Sequence, residues 1–220
     1  MNRYSSGVHP YFYPGTEVLK NKFDIRDPNK LAEIENAEYL IGNMNLRFNP
    51  IQGEYDIEHL CKIHKALFGK VYDWAGELRT TVISKNGSVF AYPDKIRNFL
   101  EPILKGINKE NQLKGLSKEA FSERAAYYFA EINAAHPFRE GNGRAMRSFI
   151  DQLSNQTGYQ IDWDSMSKEE YIQASINSFN GDNKLLKTLF EENIYLLDKT
   201  QTSVKEIEQA VFVKIVVTHT

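Results

Sequence analysis

The chain has 220 residues, 41% of them hydrophobic and 25% charged, and a formal net charge of −2. That is length for one sizeable domain with its own core, and the composition excludes a disordered chain. The near-zero charge excludes a general nucleic-acid binder working through a global basic field, so an anionic ligand has to be held by local arginines.

Residues 1–26 are rich in aromatics, Gly and Pro and read as an irregular arm. They hold no apolar run of the kind a secretory leader needs. A helix then starts at Asp27, which can cap it, with Pro28 at the favoured first position. A second helix is expected over 55–68, with Ile57, Leu60, His64, Leu67 and Phe68 on one face and Gly69 closing it. On that apolar face His64 reads as a hydrogen-bonded core histidine. The same helix holds Cys61, the only cysteine, so no intramolecular disulfide can form; this fits a reducing cytoplasm.

The period then changes. TTVIS and SVFAY are β-prone and flank Asn86-Gly87, the strongest short-range hairpin signal, because both turn positions need positive φ. A lone hairpin is marginal by itself, so 78–92 reads as a flap lying on helices. A helix follows over 94–107. Ser117 can cap the next one, with Leu116 and Phe121 as a hydrophobic staple. Its stripe is Phe121, Ala125, Phe129 and Ile132, and Pro137 stops it at His136. The helical pattern restarts at Met146, Phe149, Ile150 and Leu153, and two more helices are expected over 167–179 and 182–197. From 199 to 220 a polar link leads into QAVFVKIVVTHT, which alternates like a strand. It reads equally as a tail or as the start of a further domain. Its apolar run is too short to span a membrane and carries Lys214.

The break between the two central helices, HPFREGNGR at 136–144, holds more chemistry than a turn needs. His136 stands where a helix stops and suits a general base near neutral pH. A helix C-terminus favours the protonated ring, so a base here needs another group, such as a backbone carbonyl, to fix the neutral tautomer. Gly141, Asn142 and Gly143 precede the next helix and can turn several N–H groups toward an anion, at the positive end of its dipole. Arg144 and Arg147 share a face one turn apart, a pair of guanidinium forks fit for a di- or triphosphate. Glu140 would repel such a ligand unless a hard cation such as Mg²⁺ lay between. Neither a Walker A loop nor a dinucleotide fingerprint occurs in the chain.

HPFREGNGRAMR, 136–147, matches at every defined position the signature H-P-F-x-[D/E]-G-N-G-R-x-x-R of Fic-domain proteins of the Fido superfamily. IHKALFGKVYDWAGELR at 63–79 and YPGTEVLKNKF at 13–23 resemble further segments of that family, bacterial toxins and effectors in particular, and the resemblance spans roughly residues 9–197. It implies an all-α fold, a helical bundle over 27–198 with a β-hairpin flap above the active site. It also implies a protein adenylyltransferase, moving AMP from ATP to a Ser, Thr or Tyr hydroxyl. His136 would deprotonate that hydroxyl and Glu140 would hold the Mg²⁺. Gly141, Asn142 and Gly143 would form the anion hole, with Asn142 orienting the α-phosphate. Arg144 and Arg147 would bind the β- and γ-phosphates. The target segment would dock as an added strand on the flap, at Thr81, Val82, Ile83, Ser88, Val89 and Phe90.

The resemblance also bears on control. Such proteins are commonly inhibited by a helix of pattern [S/T]-x-x-x-E-[G/N], whose glutamate pairs with the second motif arginine, here Arg147. TLFEEN at 188–193 fits formally, but it lies in a stretch resembling a structural helix of the family, and Glu192 reads as a coincidence. LAEIEN ends in Glu35-Asn36 but has Leu31 where Ser or Thr belongs. The inhibitory helix is therefore expected from a separate small antitoxin. The expected partners are a protein substrate on the flap, a topoisomerase subunit for a toxin or a host small GTPase for an effector, with no direct nucleic acid and no membrane. The expected location is the cytoplasm, or a host cell if the chain is translocated. The alternatives are another phosphate-containing donor, removal of AMP, or a non-catalytic nucleotide-binding module.

Overall fold

The computed structural model describes residues 10–85 and 88–197. The Asn86-Gly87 turn and the tail beyond 197 lie outside the described residues, as do the first nine.

Among the described residues, seven helices carry the fold. Helix α1, Pro28–Phe48, starts where Asp27 Oδ1 accepts the N–H groups of Asn29 and Lys30, both at 2.9 Å. Helix α2, Ile57–Phe68, is capped by Asp56, which accepts from His59 N–H, and it buries Ile57, Leu60, Ile63, His64, Leu67 and Phe68 as one face. The hairpin follows as strands β1, Ser84–Lys85, and β2, Ser88–Val89, paired antiparallel. A short 3₁₀ turn, Pro93–Lys95, leads into α3, Ile96–Lys109, so the helix expected from Asp94 tightens in its first turn.

Helices α4, Lys118–Ala135, and α5, Asn142–Thr157, form the centre. Ser117 Oγ accepts Ala120 N–H and caps α4, and Phe121, Ala125, Phe129 and Ile132 are all buried as the stripe requires. Helix α5 buries Ala145, Met146, Phe149, Ile150 and Leu153. Helix α4 packs against α3, α5, α6 (Lys168–Phe179) and α7 (Lys184–Asn193), while α2 packs against α1, α3 and α5. One continuous core joins them.

The last element departs from expectation. Helix α7 stops at Asn193, and Ile194–Leu196 forms strand β4, antiparallel to β3, Tyr159–Ile161. A helix to 197 would have left β3 unpaired. Ile194 and Tyr195 are β-prone, and the ladder extends through Asp162 N–H to Asn193 O and Leu197 N–H to Gly158 O. Long-range pairing overrides the helical periodicity here. Among the described residues no helix is long and apolar enough to cross a membrane.

Candidate active site

The C-terminus of α4 and the N-terminus of α5 are joined by six residues, 136–141, with both helix ends facing one site. His136 caps α4 in the left-handed region, φ 46°, its N–H still bonded to Ile132 O. For a side-chain-bearing residue that conformation costs about 1 kcal/mol, and it persists only where the surroundings over-determine it. The imidazole is buried. Its Nδ1 lies 3.3 Å from the carbonyl of Asn133, one turn back. A carbonyl only accepts, so Nδ1 donates; in the neutral ring Nε2 then carries the lone pair, the tautomer a general base needs. The expected carbonyl partner is thus present. Phe90 of the flap stacks on the ring, centroids 4.0 Å apart and planes 15° from parallel.

The turn is locked from within. The Asn142 side chain accepts Phe138 N–H and donates to Phe138 O, both at 2.8 Å. The resemblance assigns Asn142 to orienting the α-phosphate; its side-chain oxygen and nitrogen each bond the loop backbone. What the residue offers an anion is its main-chain N–H, at the first position of α5. Gly141 sits at φ 76°, and a Cβ there would lie 2.4 Å from the Phe68 ring. A Cβ on Gly143 would meet nothing within 4 Å, so open space lies beside the first turn of α5.

His64 holds the same loop from below. Its Nδ1 accepts Gly76 N–H at 2.9 Å, which leaves Nε2 to donate to Glu140 O, also at 2.9 Å. The ring stacks on Phe138 at 3.9 Å, and burial pushes its pKa down to about 3. The unfolded value is near 6.5, so acid favours the unfolded chain. His64's contribution is complete above pH 6.5 and is lost as pH falls toward 3. The expectation is that His64→Gln lowers stability at pH 7.5 by about 1–3 kcal/mol, from the lost backbone partners. Its urea midpoint should also fall less steeply than the wild-type one between pH 6.5 and 4.5. Equal slopes would show that His64 is not the group titrating.

The two motif arginines differ in their setting. Arg144 is bound to Glu35 of α1 at 2.5 Å, its guanidinium 4.6 Å from the Phe68 ring centre and 5.2 Å from that of Tyr39. Tyr72 OH donates to the other oxygen of Glu35. Arg147 Nε reaches Gly143 O at 3.3 Å. Both guanidinium groups flank Tyr39, where they partly offset the burial that raises its phenol pKa. Glu192 is exposed on α7, and among the described residues no ion pair joins it to Arg147. Glu35 pairs with the first motif arginine, Arg144, not with the second.

Glu140 is half-buried and its Oε1 accepts the N–H of Gly141. Among the described residues no cluster of three or more His, Cys, Asp or Glu could hold a metal. One carboxylate beside an anion site fits Mg²⁺ nonetheless, since that ion commonly takes one or two carboxylates and completes its shell with phosphate oxygens and water.

The flap divides into two faces. Val82 and Val89 are exposed, at 41% and 49%, and Thr81 is half-buried. Ile83 and Phe90 turn inward and form their own small buried cluster, bridged by Phe90 N–H to Ile83 O at 3.2 Å. Ser88 lies in β2 opposite Lys85. Of the residues expected to dock a target, Val82 and Val89 face outward, whereas Ile83 and Phe90 are buried and Phe90 packs on the His136 ring. Sequence reasoning gave Arg79, Glu35, Tyr72 and Phe68 no part in the site itself. Glu35 showed only as an imperfect motif, and Arg79 only as the last residue of a segment resembling the family.

Comparison with known proteins follows the same lines. The model of the Fic/DOC family matches residues 54–154. Protein adenylyltransferase VbhT of Bartonella schoenbuchensis is 42% identical over 194 residues, which are 88% of this chain and 41% of that protein. A probable protein adenylyltransferase Fic of Salmonella typhimurium is 32% identical over 194 residues, covering 88% of this chain and 96% of the relative. Among solved structures, BepC, a VirB-translocated effector of Bartonella tribocorum with bound AMPPNP, superposes with a TM-score of 0.79 at 35% identity. That match covers 86% of this chain and 97% of BepC. The N-terminal Fic domain of a Bartonella quintana effector protein with bound ADP gives 0.81 at 33% identity, covering 86% of this chain and 95% of that one.

Proposed function

The chain belongs to the Fic/DOC family, and from that premise we propose that it transfers AMP from ATP to a hydroxyl group of a protein target. The observation that carries this reading is the pairing of two helix ends of opposite chemistry. One presents an imidazole in its base tautomer; the other presents backbone amides and two arginines beside open space.

In this reading His136 Nε2 takes the proton of a Ser, Thr or Tyr hydroxyl, and the freed oxygen attacks the α-phosphorus in line. The bond to the bridging oxygen breaks and pyrophosphate leaves. The N–H groups across Gly141 to Gly143 meet the charge that develops on the α-phosphate, reinforced by the α5 dipole. Arg144 and Arg147 hold the β- and γ-phosphates. Arg144 is already held against Phe68 and Glu35, so little side-chain entropy is left to lose on binding. Glu140 would hold the Mg²⁺, which when bound would supply charge neutralisation for the phosphates. The main contributions are positioning and electrostatics. The nucleotides bound in the two effector relatives support ATP as the donor.

We assign the catalytic unit to 27–198, with 1–26 as an N-terminal arm and 199–220 as a tail or the start of a further domain. The translocated relatives favour an effector, and the antitoxin-restrained toxin remains the second arrangement. The partners in either case are proteins: a target on the flap and, for the toxin, a small protein supplying an inhibitory helix.

The test uses ATP labelled on the α-phosphate in one reaction and the γ-phosphate in another, with Mg²⁺ and bacterial or host lysate. Protein label from the α-position alone is the expected result. Label from γ alone would make the enzyme a kinase and overturn the reading. Arg147→Ala should weaken ATP binding about tenfold or more, as loss of a charge-assisted contact predicts. Unchanged ATP affinity would remove Arg147 from the triphosphate site.

A further inference from the structure

We infer that Arg79 is a positioning residue that locks the flap and the base His136 into one rigid unit, a role deepening the AMP-transfer reading above. Arg79 is fully buried. Its guanidinium donates to four carbonyl groups. Nε reaches His136 O at 2.8 Å, Nη1 reaches Thr81 O at 2.8 Å, and Nη2 reaches Ala135 O at 3.1 Å and Ala91 O as well. Its own N–H bonds to Pro137 O at 2.9 Å.

These acceptors come from two places. Ala135 and His136 end α4, where the last carbonyls have no intrahelical partner and carry the negative end of the dipole. Thr81 and Ala91 stand on the two legs of the hairpin, ten residues apart in sequence. One planar fork therefore joins both legs of the flap to the backbone on which the base is mounted. The joint is reinforced by Ala91 N–H to Ala134 O at 3.4 Å and by Phe90 stacked on the imidazole. His136 needs such support because its left-handed backbone is strained. Burial lowers the Arg79 pKa to about 10, which leaves it charged at neutral pH. Its positive charge against the last carbonyls opposes the dipole that would otherwise favour a protonated imidazole. A lysine supplies the charge but not the fork.

Arg79 acts on the base half of the site, since the phosphate contacts assigned above all lie on the loop 140–143 and on α5. This gives a signature that general fold support lacks. In the full chain carrying Arg79→Lys or Arg79→Gln, α-label incorporation at saturating ATP and fixed lysate should fall about 10- to 100-fold, the scale of a slightly misplaced reacting group. Half-saturating ATP should stay within about twofold. The His136 imidazole ¹⁵N signals, assigned by difference from His136→Ala, should move from a single Nδ1–H tautomer toward a mixture.

A folded variant with wild-type rate and unshifted imidazole signals overturns the inference. So does loss of rate and ATP affinity in equal measure with the imidazole unshifted, which marks Arg79 as a general prop. Should Arg79→Gln not fold, Arg79→Lys, which keeps the buried charge, decides alone. If the wild type transfers no α-label, it is the AMP-transfer reading that fails, and the imidazole signals alone then decide Arg79.

Discussion

His136→Ala should reduce α-label transfer by about 10²- to 10⁴-fold, the usual contribution of a positioned general base, while ATP affinity stays within about twofold. The separation follows from the architecture. The imidazole is mounted on the last residue of α4, and the phosphate groups would be met by α5, which begins after the locked turn. That turn is held by Asn142 on Phe138 and by His64 on Glu140, and neither contact involves the imidazole of His136. The anion half should therefore survive the substitution. Folding should survive it too, because Arg79 binds the His136 carbonyl, which alanine keeps. The loss includes the ring's stacking on Phe90 and its bond to Asn133 O. Three measurements check this: label incorporation, ATP affinity by calorimetry, and the urea midpoint. A variant that keeps a tenth or more of the rate would show that another group takes the proton. A parallel loss of rate and ATP affinity would show that the two halves are not independent.

Much of this was legible in the sequence because it is local. Asp27 and Pro28 announce α1, Ser117 announces α4, and Pro137 with the glycines announces the break. Each signal is a side chain acting on its own backbone a few residues away. The motif was legible for the same reason, since base, amides and arginines fall within twelve residues. What stayed hidden depends on distant partners. The pairing of β3 with β4 spans more than thirty residues and turned an expected helix end into a strand. Arg144 and Glu35 lie 109 residues apart, and Arg79 reaches His136 across 57. Asn142 was legible in part: its place in the motif marks it for the anion site, and the bonds to Phe138 follow from a short amide side chain four residues from a backbone group, which readily closes a turn. In the flap, the β-prone runs did not separate inward from outward residues; packing of Phe90 over the imidazole and burial of Ile83 make that division.

Two glycines of the motif, one residue apart on either side of Asn142, should respond to alanine in opposite ways. At Gly141 the backbone is left-handed, φ 76°, and a Cβ would lie 2.4 and 2.6 Å from two carbons of the Phe68 ring. Phe68 is buried, so it has little room to withdraw. The conformational penalty and the overpacking together should cost about 2–5 kcal/mol. For a chain of this size that lowers the melting temperature by roughly 5–15 °C. Phe68 also lies under the Arg144 guanidinium, so a displaced ring moves a proposed phosphate ligand, and ATP binding should fall with stability. At Gly143 the backbone is already helical and a Cβ would touch no protein atom. Alanine is the better helix former by up to about 1 kcal/mol, so stability should hold or rise. Yet the methyl would stand in the space where the phosphates must approach the amides, and ATP affinity should fall about tenfold or more. This is the sharper test, because binding and stability are expected to move apart. If Gly143→Ala binds ATP as tightly as the wild type, the amides across 141–143 are not the anion site, and the nucleotide must lie elsewhere on α5.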